Sequence, residues 1–451
     1  MSVILGTRDW LSEKREEHMP AGSLRARFTL GVFWSIAGAV ISRGFTLVSS
    51  IICARFLGRT GFGELGMVQS TAGTFGIFAG LGLGLTATKY VAKLREQDRG
   101  RVGRILALSS FTALLSSAVM AAVLVVSAHY LSSSTLAAPH LAGPLAVGAG
   151  LVFFGGLNGA QTGALAGFEA FRTIARVNIV AGISSFPLVV IGVWRWGLSG
   201  AVWGLVAAIA VNWVLNHLAL RRECDRFGIQ CDYRSFHKEW QVLVKFSLPA
   251  FLASVVVGPA LWICNAFLVH QPDGYSQLGL YSAADRWRLM VLFVPASVFG
   301  MVVPVLSNLY GSEDELSFQR VFRANLVLNA FLAALPAIMI AALAIPIMSA
   351  YGPQFRAGWP TLILLAFTAI AEAVNNIYMA RLICADRMWW RFALDVQLVV
   401  VLLLAAWWWI PHWGAFGMAM AYMAAMSALC LSLMLLTQGP LKGKPALLKG
   451  S

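Results

Sequence analysis

The chain carries little charge. Of its 451 residues only 12% are Asp, Glu, Lys or Arg, and just 20 are acidic. Soluble domains carry about 25% charged residues, so a solvated globular surface on a chain of this length is excluded. Long polar stretches are missing too, which leaves no room for a large soluble catalytic domain. The six cysteines (Cys53, Cys224, Cys231, Cys264, Cys384 and Cys430) are scattered and form no close metal-type pair. That pattern indicates neither a disulfide framework nor zinc, and single packed thiols are expected. No HExxH, GxSxG or Walker A pattern occurs. Neither an enzyme nor an ATP-driven pump is therefore expected, and no cofactor or metal. A cleavable leader is not expected either: the first 28 residues are polar and mixed in charge, and the apolar run that follows is too long for a signal h-region.

What the chain has in abundance is apolar sequence. Hydrophobic residues make up 59%, with 16 Trp, 27 Phe, 15 Met and 42 Gly, a mixture suited to a bilayer, where Trp gathers at interfaces and Gly packs helices. The fold expected is all-α and polytopic, with about twelve transmembrane helices. The spans read 29–54, 62–88, 103–128, 141–168, 173–194, 198–219, 242–268, 278–307, 322–345, 361–382, 391–410 and 414–436, the fourth and fifth being the least cleanly separated. Loop charge supports this numbering. Alternate loops and both tails hold 27 of the 34 Lys and Arg, whereas the opposite side holds four, Arg55, Arg59, Arg195 and Arg356. The positive-inside rule then places both termini in the cytoplasm. The net charge of +14 is accounted for by topology and by contact with anionic inner-leaflet lipid, and no nucleic acid is expected as a partner. The tail around Trp10 and Leu11 is read as disordered, with a membrane-surface segment as the alternative.

A short echo divides the spans. Phe62-Gly63-Glu64-Leu65-Gly66-Met67 resembles Tyr275-Ser276-Gln277-Leu278-Gly279-Leu280, and each opens the second helix of its half. The expected organisation is a tail (1–28), a six-helix half (29–219), a cytoplasmic linker loop (220–241), a second six-helix half (242–436) and a tail (437–451), with the halves flanking a central cavity. Gly76, Gly80 and Gly84 in the second span, and Gly155, Gly159, Gly163 and Gly167 in the fourth, provide smooth faces for close helix packing. Pro249, Pro259, Pro295, Pro304, Pro336 and Pro346 mark expected kinks in the second half.

The sharpest functional clue is charge inside the spans: Arg43 in the first, Asp285, Arg286 and Arg288 in the eighth, and Glu372 in the tenth. Lipid is a poor solvent for such groups, so they are expected to face the bundle interior or water. Asp285 and Arg288, three residues apart, can pair on one helix face. Arg43 and Arg286 have no such partner nearby in sequence. An inward excess of arginine points to an anionic ligand, because the guanidinium fork matches phosphate oxygens. Arg43, Arg286 and Arg288 are thus candidate ligands for a diphosphate, with Arg43 and Arg286 facing one cavity. Glu372 and Asp285 are candidates for ion coupling or gating. Amides recur in the spans, among them Asn158, Asn178, Asn212 and Asn216. Asn265, Asn375 and Asn376 are the candidates for polar cavity lining, with interhelical hydrogen bonding as the competing reading.

The stretch Ala54-Arg55-Phe56-Leu57-Gly58-Arg59-Thr60-Gly61-Phe62-Gly63 resembles the signature after the first helix of bacterial polysaccharide flippases. These are the O-antigen and exopolysaccharide exporters of the multidrug/oligosaccharidyl-lipid/polysaccharide superfamily. Gly82-Leu83, Lys89-Tyr90-Val91-Ala92, Leu280-Tyr281-Ser282-Ala283-Ala284-Asp285-Arg286, Pro304-Val305-Leu306-Ser307 and Tyr351-Gly352-Pro353-Gln354-Phe355 continue the likeness over nearly the whole chain. The resemblance implies a flippase of the bacterial inner membrane that moves an undecaprenyl-diphosphate-linked oligosaccharide to the periplasmic leaflet by alternating access. It also implies membrane lipids and a polysaccharide polymerase or assembly complex as partners. Alternatives are a multidrug or metabolite antiporter of the same fold, a peptidoglycan- or teichoic-acid-precursor flippase, and a non-transporting scaffold.

Overall fold

A computed structural model describes residues 24–247, 251, 255–311, 315–385 and 387–438. Most of the N-terminal tail, with Trp10 and Leu11, the C-terminal tail with Lys442, Lys444 and Lys449, and Pro249 lie outside the described residues. All regular structure among the described residues is helical.

Three helices are too long to be single spans. Leu24–Gly80 and Phe171–Phe227 hold 57 residues each and Met388–Gln438 holds 51. At 1.5 Å per residue each would run about 75–85 Å, against a hydrocarbon core of about 30 Å. Each is broken near its middle by a glycine in the left-handed region: Gly58 (φ 69°), Gly197 (φ 57°) and Gly414 (φ 51°). Gly58 and Gly197 fall in the gaps between expected spans and Gly414 at the first residue of the twelfth, so one long helix becomes an antiparallel pair. With Arg99–Tyr130, Ala142–Gly167, Val257–Val269, Gly274–Gly311, Glu315–Ala342 and Trp359–Cys384, twelve helical segments stand at the expected spans among the described residues, in two bundles about a central cavity; the seventh, expected over 242–268, is described as a helix only over the thirteen residues Val257–Val269. Large apolar side chains such as Val126, Trp194, Phe331 and Leu404 point outward, as lipid-facing positions require.

Three local expectations change. The second span does not run unbroken. It bends by 42° between Gly80 and Leu83, where Leu81 (φ 43°) and Gly82 (φ 66°) leave the helical region because two glycines in three residues weaken the helix there. The ninth span ends at Ala342, and a short helix, Ala344–Tyr351, follows it. Finally, Cys224 and Cys231 are not isolated thiols. The helix ends at Phe227, and Gly228 (φ 65°) turns the chain back. The Cys224 thiol donates to the Cys231 sulfur, which holds Cys231 down at about 7 and pushes Cys224 up.

The glycine faces pack as their spacing implies. A Cβ on Gly163 would sit 2.1 Å from the Gly84 carbonyl oxygen, so the second and fourth spans touch backbone to backbone. The two echo segments also meet. A Cβ on Gly63 would lie 1.8 Å from the Tyr275 carbonyl oxygen, and one on Gly279 would lie 2.1 Å from that of Arg59. Arg59 bonds Ser276, Arg55 donates to the Ala350 carbonyl at 2.7 Å, and Phe62 packs edge-on against Tyr351 and Phe355. This end of the molecule is sealed by direct contact between the first-half turn at Gly58 and elements of the second half. At the other end Glu239 of the linker accepts from Arg101 (3.1 Å) and Arg104 (3.3 Å), and Thr86 shares a 2.7 Å hydrogen bond with Ser247.

Candidate functional site

Arg286 and Arg288 are two residues apart, about 200° around the helix at 3.6 residues per turn. The eighth span therefore gives them different surroundings. Arg288 is buried, with 7% of its surface exposed. Its Nε donates to Asp285 at 2.6 Å, and its Nη1 donates to Glu372 at 2.5 Å and to the Tyr422 hydroxyl at 3.2 Å. Tyr422 in turn donates to Glu372 at 3.2 Å, and the guanidinium lies 4.8 Å from the Tyr422 ring centre. The cluster thus ties the eighth, tenth and twelfth spans. A buried charge needs this degree of pairing to be tolerated. Arg288, expected as a ligand for an anion, has its Nε and Nη1 engaged by Asp285, Glu372 and Tyr422. Glu372 and Asp285 are likewise engaged, two carboxylates to one guanidinium.

Arg286 lies on the other side of that helix. It donates to Gln69 of the second span and has no ion-pair partner among the described residues. It lines two neighbouring cavities. One, of about 440 Å³, lies between the second, seventh and eighth spans, with Gln69, Ser70, Asn265, Asp285 and Arg288 in its walls. The other, of about 330 Å³, lies within the first-half bundle. Phe62, Leu65, Gln69 and Arg286 belong to both. Arg286 thus stands on the border between them.

Arg43 does not share either cavity. Ser42, Thr46, Ser49 and Cys53 turn toward the first-half cavity, and Arg43 lies about 100° around the helix from Ser42. It faces the eighth span, is exposed, donates to the Leu289 carbonyl at 3.4 Å and places its guanidinium 4.5 Å from the Phe293 ring centre. Residues 286, 289 and 293 form one helix face. Arg43 and Arg286 therefore lie along one seam between the first and eighth spans, one to two helical turns apart, rather than side by side.

The amides divide similarly. Asn265 donates to Ser70 at 2.8 Å and lines the larger cavity. Asn375 is buried and donates to the Met426 carbonyl at 2.9 Å, an interhelical tie. Asn376 is half-buried and lines neither cavity. Two residues of the site escape a reading that looks only for charge: Gln69, which holds Arg286, and Tyr422, which closes the Arg288 cluster. A polar residue in the middle of the second span was the available signal for the first.

Comparison with known proteins agrees with this architecture. The sequence profile of the polysaccharide biosynthesis protein family matches residues 28–310. The EPS I polysaccharide export inner membrane protein EpsE of Ralstonia solanacearum is 26% identical over 423 residues, covering 92% of this chain and 94% of that protein. Among solved structures, an inward-facing multidrug resistance MATE family transporter of the MOP superfamily superposes with a TM-score of 0.75 at 12% identity, over 91% of this chain and 98% of that one. The lipid II flippase MurJ in an inward closed conformation gives 0.70 at 14% identity, over 92% and 88%. The structural likenesses establish the shared fold, and since the profile match runs through the echo segments and the Arg286 helix, the chain belongs to the polysaccharide biosynthesis protein family.

Proposed function

We propose that this chain is a flippase of the bacterial inner membrane. It carries an undecaprenyl-diphosphate-linked oligosaccharide from the cytoplasmic to the periplasmic leaflet for cell-surface polysaccharide assembly. The observation that carries this reading is Arg286, a guanidinium on the border of two cavities, held by an amide and, among the described residues, by no carboxylate. A diphosphate can take such a fork through two parallel charge-assisted bonds. The exposed Arg43, lower on the same seam, is an entry station for that anion. Weak cation–π and carbonyl contacts hold it, and a phosphate can displace them. Polysaccharide export, the role in the EpsE name, fits such a cargo.

A carrier of cationic drugs requires unpaired acidic groups. Both in-span carboxylates weighed for that role are instead bound to Arg288, which favours the anionic cargo. The spare carboxylate of that cluster is the natural seat for a coupling ion, with Glu372 as its carrier.

Cells lacking this chain are expected to accumulate lipid-linked oligosaccharide on the cytoplasmic leaflet and to lose the corresponding surface polysaccharide. Normal surface polysaccharide with no accumulated precursor would exclude the function.

In the orientation set by loop charge, the sealed end is periplasmic and the Gly63–Tyr275 crossing is its gate. Gly63→Val should prevent closure there, since even a Cβ overlaps the Tyr275 carbonyl. Cys53, buried in the first-half cavity, should then react with a membrane-impermeant maleimide on intact cells, having been inert before. Equal labelling of Cys53 with and without the substitution would contradict the gate.

A further inference from the structure

The anchor reading leaves the first-half cavity without a role. We propose that it is a sugar subsite, which receives the neutral pyranose ring attached directly to the diphosphate. This inference rests on Arg286 as the diphosphate anchor. Position comes first: the cavity shares Gln69 and Arg286 with the larger one, so a group one bond beyond a phosphate on Arg286 enters it directly. Chemistry comes second. Ser42, Thr46, Ser49, Asn178, Ser185 and Asn212 supply hydroxyls and amides from three spans, and among the described residues Arg286 is the only charged one in the lining. Such a wall suits a neutral, hydroxyl-rich ligand and offers a cation no carboxylate.

Two details show donors and acceptors set for a ligand. Ser49 is only 6% exposed, lines the cavity, and its Oγ has no hydrogen-bond partner among the described residues. A buried hydroxyl left unpaired is costly, and a sugar hydroxyl would satisfy it. Behind Asn212 stands a fixed ladder. Asn216 donates to the Asn212 side-chain oxygen at 3.0 Å and to that of Asn158 at 2.9 Å, while Asn158 donates to the Ile209 carbonyl at 3.1 Å. With its oxygen engaged by Asn216, Asn212 presents its NH₂ group to the cavity as a held donor. Val189, Leu205 and Ile209 complete the wall and offer an apolar surface to the C–H face of a ring. A volume of about 330 Å³ lies at the lower end of the range for small-molecule sites, about 300–1,000 Å³. That is room for one ring, not for a whole repeating unit, so the subsite reads the first sugar and leaves the distal sugars unread. A site that hydrogen-bonds particular hydroxyls discriminates against rings that lack them.

The test uses purified full-length protein in nanodiscs. Binding is measured for undecaprenyl diphosphate and for the same lipid carrying one glucose, one galactose or one N-acetylglucosamine. The parent is expected to bind at least one glycosylated form about tenfold more tightly than the bare lipid diphosphate, the gain from one or two net hydrogen bonds. Two variants, Ser49→Ala/Asn178→Leu, which removes polar partners, and Ala208→Met, which fills the cavity, should each erase that gain. Unchanged binding of bare undecaprenyl diphosphate shows that each variant remains folded. The proposal is overturned if no glycosylated form gains over the bare lipid diphosphate, or if the gain survives in both variants. Arg286→Gln should weaken all four probes alike. If it weakens none while the sugar-dependent gain persists, the diphosphate anchor fails and the sugar subsite stands.

Discussion

Arg286→Gln is expected to reduce flipping of the lipid-linked substrate by about 100-fold while leaving the protein's melting temperature nearly unchanged. The rate effect follows from the loss of two charge-assisted hydrogen bonds to the diphosphate, about 3 kcal/mol together, or about two powers of ten. The stability effect is small because Arg286 makes no ion pair among the described residues, so its removal strands no opposite charge. A glutamine can also bond the Gln69 amide that now accepts from Arg286. Arg286→Lys should recover part of the rate, since it restores the charge without the planar fork. Flipping by reconstituted variants, with thermal unfolding followed on the same preparations, separates the two effects. A large fall in melting temperature for Arg286→Gln would mark the residue as structural.

Arg288→Gln should do the reverse. It leaves Asp285 and Glu372 without their shared cation in a buried cluster, and breaking such a pair by removing one partner costs about 3–5 kcal/mol. A melting temperature lower by several degrees and a reduced yield of folded protein are expected, with substrate binding intact in the fraction that folds. Glu372→Gln keeps an oxygen that can accept from Arg288 and Tyr422, and Asp285 still balances the guanidinium. That variant should remain folded yet lose the response of transport to pH or ion gradients, because its titratable group is gone. Gradient dependence equal to the parent would assign Glu372 to structure alone.

How much of this was legible in the sequence depends on what each feature requires. The spans were visible because bilayer solvation imposes long apolar runs, and the turns at Gly58, Gly197 and Gly414 fell where those runs are interrupted. The in-span charges could be read for the same reason. Their partners could not. Asp285 was within reach of Arg288 by helical spacing, but Glu372 and Tyr422 come from other spans, and only packing brings them to it. The division of labour between Arg286 and Arg288 is a matter of helix rotation, which one chain read alone does not fix. Arg43 shows the same limit: one position around the helix from Ser42 moves it out of the cavity and onto the seam. The Cys224–Cys231 contact depends on the backbone reversal at Gly228, which spacing alone did not reveal. The echo of residues 62–67 at 275–280 gained meaning only when the two segments were found against each other at the sealed end.

The central claim is tested most directly by transport in proteoliposomes. A lipid-diphosphate-linked oligosaccharide is loaded into one leaflet, and its arrival in the other is followed with a membrane-impermeant probe. Purified parental protein should move the substrate far faster than protein-free liposomes, and the double variant Arg43→Gln/Arg286→Gln should fall to the protein-free rate. Parental protein no faster than protein-free liposomes, or a double variant flipping at the parental rate, would contradict a flippase that grips its cargo by the diphosphate.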